Sequence, residues 1–173
     1  MKNLGLLKML FISIFLFGCE VESIAQETPK ELREEVYVET SIFKVWYNEV
    51  YEQPVKLIYT SENRPKNADR GSMDFWVPKD VHTSDSKDYY RNIYDKGHLA
   101  PAATFSDSKE NLKATFSYLN CALQDQYMNR GEWRLLEEQE RKWDDVEPLT
   151  IKIISVYEPG HTVLPTGGHV PTA

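Results

Sequence analysis

The sequence contains very little cysteine, which limits how the protein can be held together. Only Cys19 and Cys121 occur among its 173 residues. Neither belongs to a CxxC motif or to a Cys/His pair with zinc-ligand spacing, which argues against a structural zinc site. If Cys19 is modified, the remaining thiol cannot form an internal disulfide, so an apolar core must stabilise the domain unaided. Cys121 has no base beside it in the sequence and is expected to be a small core residue.

Positive charge is scarce as well. The chain has 20 Lys and Arg residues against 27 Asp and Glu residues, a formal net charge of −7. A field of that sign does not attract a polyanion, so a nucleic-acid site must be a local basic patch helped by a cation. The length and the 41% hydrophobic content suffice for one apolar core but not for two, and we expect one domain.

Long apolar runs are absent after the N-terminus. Two lysines accompany an apolar run, residues 9–17, that ends before Cys19 and is shorter than the ~20 residues of a membrane-spanning helix. The pattern resembles a bacterial lipoprotein signal, which predicts a signal peptide (1–18) and a lipidated Cys19 that begins an acidic tether (19–38). An ordinary signal peptide is the alternative. Both interpretations export the protein, either as a membrane-anchored lipoprotein, periplasmic or on the cell surface, or as a secreted protein.

The rest of the chain, residues 39–173, is expected to form an α+β domain. Short runs rich in β-branched and aromatic residues predict strands over residues 42–50, 55–60, 73–77, 116–123 and 150–157. Apolar positions at helical spacing predict a helix over 129–143, in which Glu137 and Arg141 stand four residues apart in the favoured acid-first order. Strands followed by a helix and a further strand are typical of the α+β class.

Three segments carry most of the information about function. Residues 94–103 read YDKGHLAPAA, residues 118–124 read YLNCALQ, and residues 129–137 read NRGEWRLLE, with Arg141 following. Together they resemble the DNA/RNA non-specific endonuclease family, which belongs to the ββα-metal or His-Me finger nucleases. The resemblance extends upstream through Arg70 and Phe75, and it covers most of residues 40–173.

This resemblance implies a fold with a mainly antiparallel sheet and a catalytic helix. Residues 95–103 would form the first strand and turn of the finger, 118–124 its second strand, and 129–143 the helix that crosses both. The family continues into another sheet strand beyond residues 170–173. The alternatives for this departure are a truncation at the C-terminus and a minimal member with an open sheet edge.

Two residues are expected to carry the chemistry. A histidine has a pKa close to working pH, so His98 can take a proton from the attacking water as general base. Asn129 supplies a neutral amide oxygen to Mg²⁺, with Mn²⁺ as the alternative ion. A hard cation held by one such ligand takes its other ligands from water and the substrate phosphate. The resemblance implies these same roles for His98 and Asn129.

Further catalytic roles are implied by the resemblance alone. Asn120, together with Gln124, would orient His98 or a metal-bound water. Glu137 would organise water, and Arg141 would contact the phosphate or the transition state. Simpler interpretations stay open, namely strand hydrogen bonding for Asn120 and Gln124, a surface ion pair for Glu137 and Arg141, and a helix cap for Asn129.

The substrate-binding residues are expected to be Asp95, Lys96 and Arg130, and Arg134 adds to the same basic patch. Lys96 stands where the family usually has arginine, so the charge is kept but the planar pair of donors is lost. Every expected contact goes to phosphate, sugar or metal. We therefore expect an endonuclease that cuts DNA and RNA with little sequence specificity. The alternatives are a catalytically inactive relative acting as a surface binding module and a structural lipoprotein in which the motif is coincidental.

Overall fold

The computed structural model describes residues 31–173, in which sheet and helix are both present. The six strands of this part of the chain are β1 (Val36–Glu39), β2 (Phe43–Asn48), β3 (Gln53–Ser61), β4 (Tyr94–His98), β5 (Cys121–Asp125) and β6 (Leu149–Ile154). The helices are α1 (Lys109–Thr115), α2 (Gln126–Met128) and α3 (Arg134–Trp143). A 3₁₀ turn (Tyr118–Asn120) precedes β5, and a π-helical turn (Asn129–Trp133) joins α2 to α3. The predicted α+β class is confirmed.

Four strands form one antiparallel sheet in the order β1-β2-β3-β6. The predicted strands at 42–50, 55–60 and 150–157 correspond to β2, β3 and β6. Their alternating residues place one face in the core, where Val45, Tyr47 and Leu57 are fully buried. The inner face of the sheet is therefore the floor on which the rest of the domain packs.

The finger consists of β4, β5 and the helical segment that follows them. β4 and β5 pair antiparallel, with Asp95 opposite Gln124 and His98 opposite Cys121. Leu99, which follows β4, and Ala122 of β5 belong to the same apolar cluster as the inner face of the sheet. The finger consequently packs on that inner face, and His98 ends its first strand.

Two predicted strands differ from the structure. Residues 73–77 form no strand and contribute a single bridge between Trp76 and Ser117. The predicted strand 116–123 starts only at Cys121, because Ser117 accepts a hydrogen bond from the Leu119 amide and begins a 3₁₀ turn. Helix α1 was not predicted; the Ser108 side chain caps it.

The long helical segment begins three residues earlier than predicted. Asp125 is its N-cap and accepts hydrogen bonds from the amides of Tyr127 and Met128. The interpretation of Asn129 as an N-cap is therefore wrong, and Asn129 is instead the C-cap residue of the short α2. The segment is also irregular, because Gly131 has non-helical angles of φ −102° and ψ −105° inside the π-helical turn. Asn129 lies in this irregular turn rather than at the start of a regular helix.

The contacts of the domain begin before residue 39. The Arg33 guanidinium donates two hydrogen bonds to the buried carboxylate of Glu49, and β1 starts at Val36. The end of the expected tether, residues 33–38, is thus part of the domain. The expected signal peptide and Cys19 lie outside the described residues. Within residues 31–173, none of the helices has the length and apolar character needed to cross a bilayer.

The sheet ends at β6 in the described part of the chain. Among the described strands, β6 pairs with β3 alone. The residues after β6 fold back, and the Thr172 amide donates to the carbonyl of Val156.

Candidate active site

A cleft of about 340 Å³ lies where the finger meets the loop before β4. It is lined by Arg70, Asp74, Phe75, Lys96, His98, Asn129, Arg130, Arg134 and Glu137. The fold therefore brings together His98, Asn129 and Glu137, which the sequence places far apart. A larger, mainly apolar cavity of about 420 Å³ lies between β5, β6 and the C-terminal residues, and it contains none of these three side chains.

His98 is fixed by contacts to its backbone and its ring. The Trp133 indole donates a hydrogen bond to the His98 carbonyl (3.1 Å). The ring lies between Phe75, at 4.6 Å between centroids, and Phe116, at 4.8 Å and perpendicular. Burial, and secondarily the charge of Arg70, lower the pKa of His98 to about 3. The imidazole is therefore neutral at pH 7, and its buried Nε2 has no hydrogen-bond partner in the described structure.

The loop before β4 contributes functional candidates that the sequence marked weakly or not at all. Arg70 lies 4.9 Å from the Phe116 ring and lines the cleft beside His98. Phe75 forms one wall against the imidazole. Asp74 was not predicted. Residues 62–93 have almost no regular structure, so no periodicity could identify these residues, and only the thin upstream resemblance pointed to Arg70 and Phe75.

Asp95 holds two neighbours rather than lining the cleft. Its Oδ2 accepts a hydrogen bond from the Asn129 amide nitrogen (2.9 Å), and both of its oxygens accept from the Arg130 guanidinium (2.7 and 2.8 Å). Arg130 lowers the pKa of Asp95, which keeps this carboxylate ionised. With its nitrogen committed to Asp95, Asn129 has its Oδ1 left to bind another group. Asp95 thus orients Asn129 and Arg130, and the direct substrate contact expected of it from the sequence stays a prediction.

Lys96 forms an ion pair with another residue of the cleft lining. Its ammonium binds Asp74 at 2.9 Å and lies 5.6 Å from the centre of the Tyr118 ring. The planar, two-pronged contact to Asp95 comes from Arg130 instead. Although Lys96 stands in place of the family's arginine, Asp95 thus keeps two hydrogen bonds from a guanidinium group.

Asn120 lies outside the cleft. It is fully buried, and its amide nitrogen donates to the carbonyls of Ala100 and Thr115, both at 2.9 Å. Its Oδ1 accepts from the Ala100 amide at 2.7 Å. Both donor hydrogens are thereby used, and none of the hydrogen bonds of Asn120 in the described residues goes to His98. Asn120 instead joins the turn after His98 to the end of α1.

Gln124 lies against Gly97. A Cβ atom added to Gly97 would fall 1.8 Å from Gln124 Oε1, so only glycine permits this approach. The buried Oε1 has no hydrogen-bond partner in the described part of the chain. The Gln124 side chain of β5 therefore packs directly on the backbone of β4, next to His98.

Glu137 lies at the surface of the cleft, whereas Arg141 does not. Glu137 lines it, and burial raises the pKa of this carboxyl to about 7, while the charge of Arg141 opposes the shift. Arg141 is not among the lining residues, and one of its guanidinium nitrogens is buried without a partner in residues 31–173. The phosphate contact expected of Arg141 stays a prediction. Arg141 lies behind Glu137, near Glu140, which accepts a hydrogen bond from the Tyr59 hydroxyl.

The donor set of the cleft is that of a sparsely ligated hard cation. The described residues contain no cluster of three or more His, Cys, Asp or Glu side chains able to hold a metal ion. An ion in the cleft would use the Asn129 amide oxygen, and it would complete its shell with water and phosphate oxygens, as Mg²⁺ commonly does. The orientation of Asn129 by Asp95 fits this use.

The chain is similar to known endonucleases in sequence and in fold. Residues 22–172 match the model of a family described as DNA/RNA non-specific endonuclease. Over 78 residues, 43% of this chain, the sequence is 33% identical to mitochondrial endonuclease G of Bos taurus, of which the matched part spans 26%.

The fold is similar to a chain in the crystal structure of the EndoG/EndoGI complex. The TM-score is 0.65 at 23% sequence identity, and the match covers 79% of this chain and 58% of that chain. The chain thus spans only part of the length of both relatives. Because the family match extends over residues 22–172 and the finger has the ββα arrangement, the protein belongs to the DNA/RNA non-specific endonuclease family and has its ββα-metal fold.

Proposed function

We propose that the protein is a metal-dependent endonuclease that hydrolyses phosphodiester bonds in DNA and RNA with little sequence specificity. One observation carries the proposal: His98 and Asn129, which belong to different segments of the chain, line the same cleft. Four cationic side chains line it too, although the chain as a whole carries a net charge of −7. These cations are Arg70, Lys96, Arg130 and Arg134. They form the local basic patch that binding of a polyanion requires.

His98 acts as the general base. Its neutral imidazole accepts a proton from water as the water oxygen attacks phosphorus, and the bond between phosphorus and the 3′ oxygen breaks. The departing oxygen takes a proton from solvent, so the products are a phosphate monoester and a hydroxyl. Phe75 and Phe116 pack against the ring and hold it in place. Phosphate charge arriving beside the ring offsets the effect of Arg70 and raises the pKa of His98, which makes it a stronger base when substrate is bound.

Asn129 would hold Mg²⁺, or Mn²⁺, through its amide oxygen. The bound ion would neutralise the charge that grows on the phosphate oxygens. Asp95 fixes which end of the Asn129 amide faces the ligand, because it accepts the hydrogen bond of the amide nitrogen. Glu137, when ionised, accepts a hydrogen bond from water in the cleft and orients it. Arg141 stabilises the ionised form of Glu137 from behind.

The absence of base recognition follows from the lining of the cleft. Its cations are suited to phosphate oxygens, which occur at every nucleotide, and Phe75 offers a ring face that does not distinguish bases. DNA and RNA both satisfy such contacts. This lining supports a broad substrate range.

The site of action proposed here is outside the cytoplasm. The support is the N-terminal sequence, in which an apolar run ends before Cys19. A lipidated Cys19 would anchor the enzyme to a membrane, in the periplasm or at the cell surface, and an ordinary signal peptide would secrete it. Metabolic labelling with a radioactive fatty acid distinguishes the two. A lipid anchor predicts that the protein is labelled and that Cys19→Ser loses the label, whereas an ordinary signal peptide predicts no label in either protein.

A plasmid-nicking assay tests the proposed activity. We expect the chain from residue 20 onward to cut plasmid DNA and RNA with Mg²⁺ and to stop in EDTA. His98→Ala should lose at least ~100-fold in rate, the lower end of general-base contributions. His82→Ala is the matched control, since this exposed histidine pairs with Glu52 away from the cleft. If the intact chain shows no metal-dependent cutting, the protein is instead an inactive relative that binds at a surface.

A further inference from the structure

The sheet has a second face that the proposed cleavage does not use. The finger packs on the inner face, so the outward-pointing residues of the strands lie on the opposite side of the sheet. Five of these define what we call the outer sheet face. They are Tyr37, Lys44, Trp46, Lys56 and Lys152.

The strand register arranges these residues in two rows. Tyr37 on β1 pairs with Trp46 on β2, and Trp46 pairs with Lys56 on β3. In the second row, Lys44 and Lys152 both pair with Ile58, which lies between them. Neighbouring strands are about 4.8 Å apart, so the backbones of these two lysines are separated by about 10 Å. Three ammonium groups thus surround a strip of ring and aliphatic surface.

The aromatic part of the face is ordered by its own contacts. The rings of Tyr37 and Trp46 are 4.9 Å apart, and the Lys56 ammonium lies 3.3 Å from the centre of the Trp46 ring. Tyr37 remains 47% exposed in the described structure. Exposed aromatic rings beside cations form the usual platform for single-stranded nucleic acid, in which bases stack on rings and phosphates bind the amines.

The charge of the face is opposite to that of the whole molecule. Its three lysines are accompanied by one carboxylate, Glu39, which pairs with Lys44 at 3.1 Å and accepts a hydrogen bond from the Tyr37 hydroxyl. The chain carries 27 acidic and 20 basic residues in total. A concentration of lysines on one face of an acidic protein is complementary to a polyanion.

We propose that the outer sheet face is a second binding site, for single-stranded nucleic acid. This proposal rests on the proposed function, because the outer sheet face would hold a substrate strand while the cleft cuts that strand. The two sites lie on opposite sides of the sheet. A dinucleotide bound in the cleft therefore cannot reach the outer sheet face, whereas a long strand can occupy both sites at once.

Binding measured in EDTA tests this site without requiring cleavage. The probe is fluorescent polythymidylate, titrated at several salt concentrations with the full chain and with the triple variant Lys44→Gln, Lys56→Gln, Lys152→Gln. Each phosphate contact on a single strand contributes a slope of about −0.7 in log K against log salt, so three contacts contribute about −2. We expect the triple variant to lose that part of the slope. Tyr37→Ala, which removes the exposed ring of the face, should weaken binding about fivefold, the lower end for a stacked base.

Two further variants test whether binding follows the charge of the outer sheet face. Glu39→Gln removes the carboxylate of the face and should strengthen binding. The matched control is Lys87→Gln, Lys109→Gln, Lys142→Gln, which makes the same charge change at lysines outside both sites and should shift the slope much less. An unchanged slope in the first triple variant, or an equal loss in the control, would overturn the proposal. So would a first triple variant that still binds polythymidylate but loses binding to anionic lipid vesicles.

Cleavage of a dinucleotide ester separates this proposal from the proposed function. The triple lysine variant should cleave it at the parent rate, while its KM for polythymidylate rises. If the parent cleaves neither substrate with Mg²⁺, the nuclease activity is refuted, and the EDTA measurement still decides whether the face binds nucleic acid.

Discussion

The four-stranded sheet and the finger are stabilised by different kinds of contact. In the sheet, alternation places Val45, Tyr47 and Leu57 in the core, and what counts at these positions is apolar volume. In the finger, single atoms matter, as when Asp95 and Asn120 accept or donate hydrogen bonds to particular partners. The sheet therefore determines whether the domain is folded, and the finger determines whether its cleft is assembled.

The largest effect is expected in the sheet. Leu57→Ala removes a fully buried side chain and should lower the free energy of unfolding by about 2–5 kcal/mol. Urea denaturation measures this, and cleavage per folded molecule should be unchanged below the transition. Ile58→Ala is the control, because the neighbouring residue faces outward and is only half-buried. Equal losses at the two positions would contradict the assignment of the faces.

Asn129→Ala reverses this pattern. Loss of the proposed metal ligand should lower the cleavage rate by at least ~100-fold, since even residues supporting a metal ligand are worth up to that much. The unfolding free energy should change little, because Asp95 keeps both contacts from Arg130. Rates at increasing Mg²⁺ concentration and a thermal melt measure the two quantities. Asn120→Ala is the contrast: it leaves buried backbone groups unpaired at about 1–3 kcal/mol each and should lower stability first.

Gly97→Ala tests the contact between β4 and β5. The new methyl group would overlap Gln124, and overpacking of this kind costs about 1–3 kcal/mol. The double variant Gly97→Ala, Gln124→Ala should recover part of that stability in a chemical denaturation series. Gly131→Ala is the control, because a Cβ there meets no atom within 4 Å. Absence of any recovery in the double variant would place the strain elsewhere.

The smallest effect concerns pH. Because burial raises the pKa of Glu137 to about 7, this carboxyl becomes neutral as pH falls through 7, and the proposed orientation of water is lost. The rate should therefore decline below pH 7, whereas His98, with its pKa of about 3, stays neutral in that range. Glu137→Gln should be slower and lack this decline in a pH–rate profile. Glu132→Gln, at an exposed position outside the cleft, should retain it.

The parts of the fold that sequence predicted are those with a regular pattern. Strands β2, β3 and β6 alternate clearly, and all three were located. Helix α1 was missed because its seven residues contain little beyond Leu112 to form an apolar stripe. The predicted strand at 73–77 has suitable residues, but Trp76 finds only one backbone bridge there. Composition indicates a preference for extended structure, and a neighbouring strand must exist to satisfy it.

The candidate site shows the same division. The motifs identified His98, Asn129 and Glu137, because their residue types and order reflect the chemistry. They could not show that Asn120 turns away to Ala100 and Thr115, since the fold of the chain around these residues decides which backbone groups it meets. An amide has the same composition whether it faces a cleft or a buried carbonyl.

The sequence by itself determined the class of the fold, the positions of its strongly patterned strands and the residues expected to hold a phosphate, a metal and a proton. Periodicity and residue chemistry are local properties, so they are readable along the chain. Tertiary structure alone decided that Asp95 clamps Asn129 and Arg130, that Lys96 pairs with Asp74, and that lysines of three strands share one face. These contacts depend on which atoms the fold brings within a few ångströms, and hydrogen bonds and ion pairs act only over such distances.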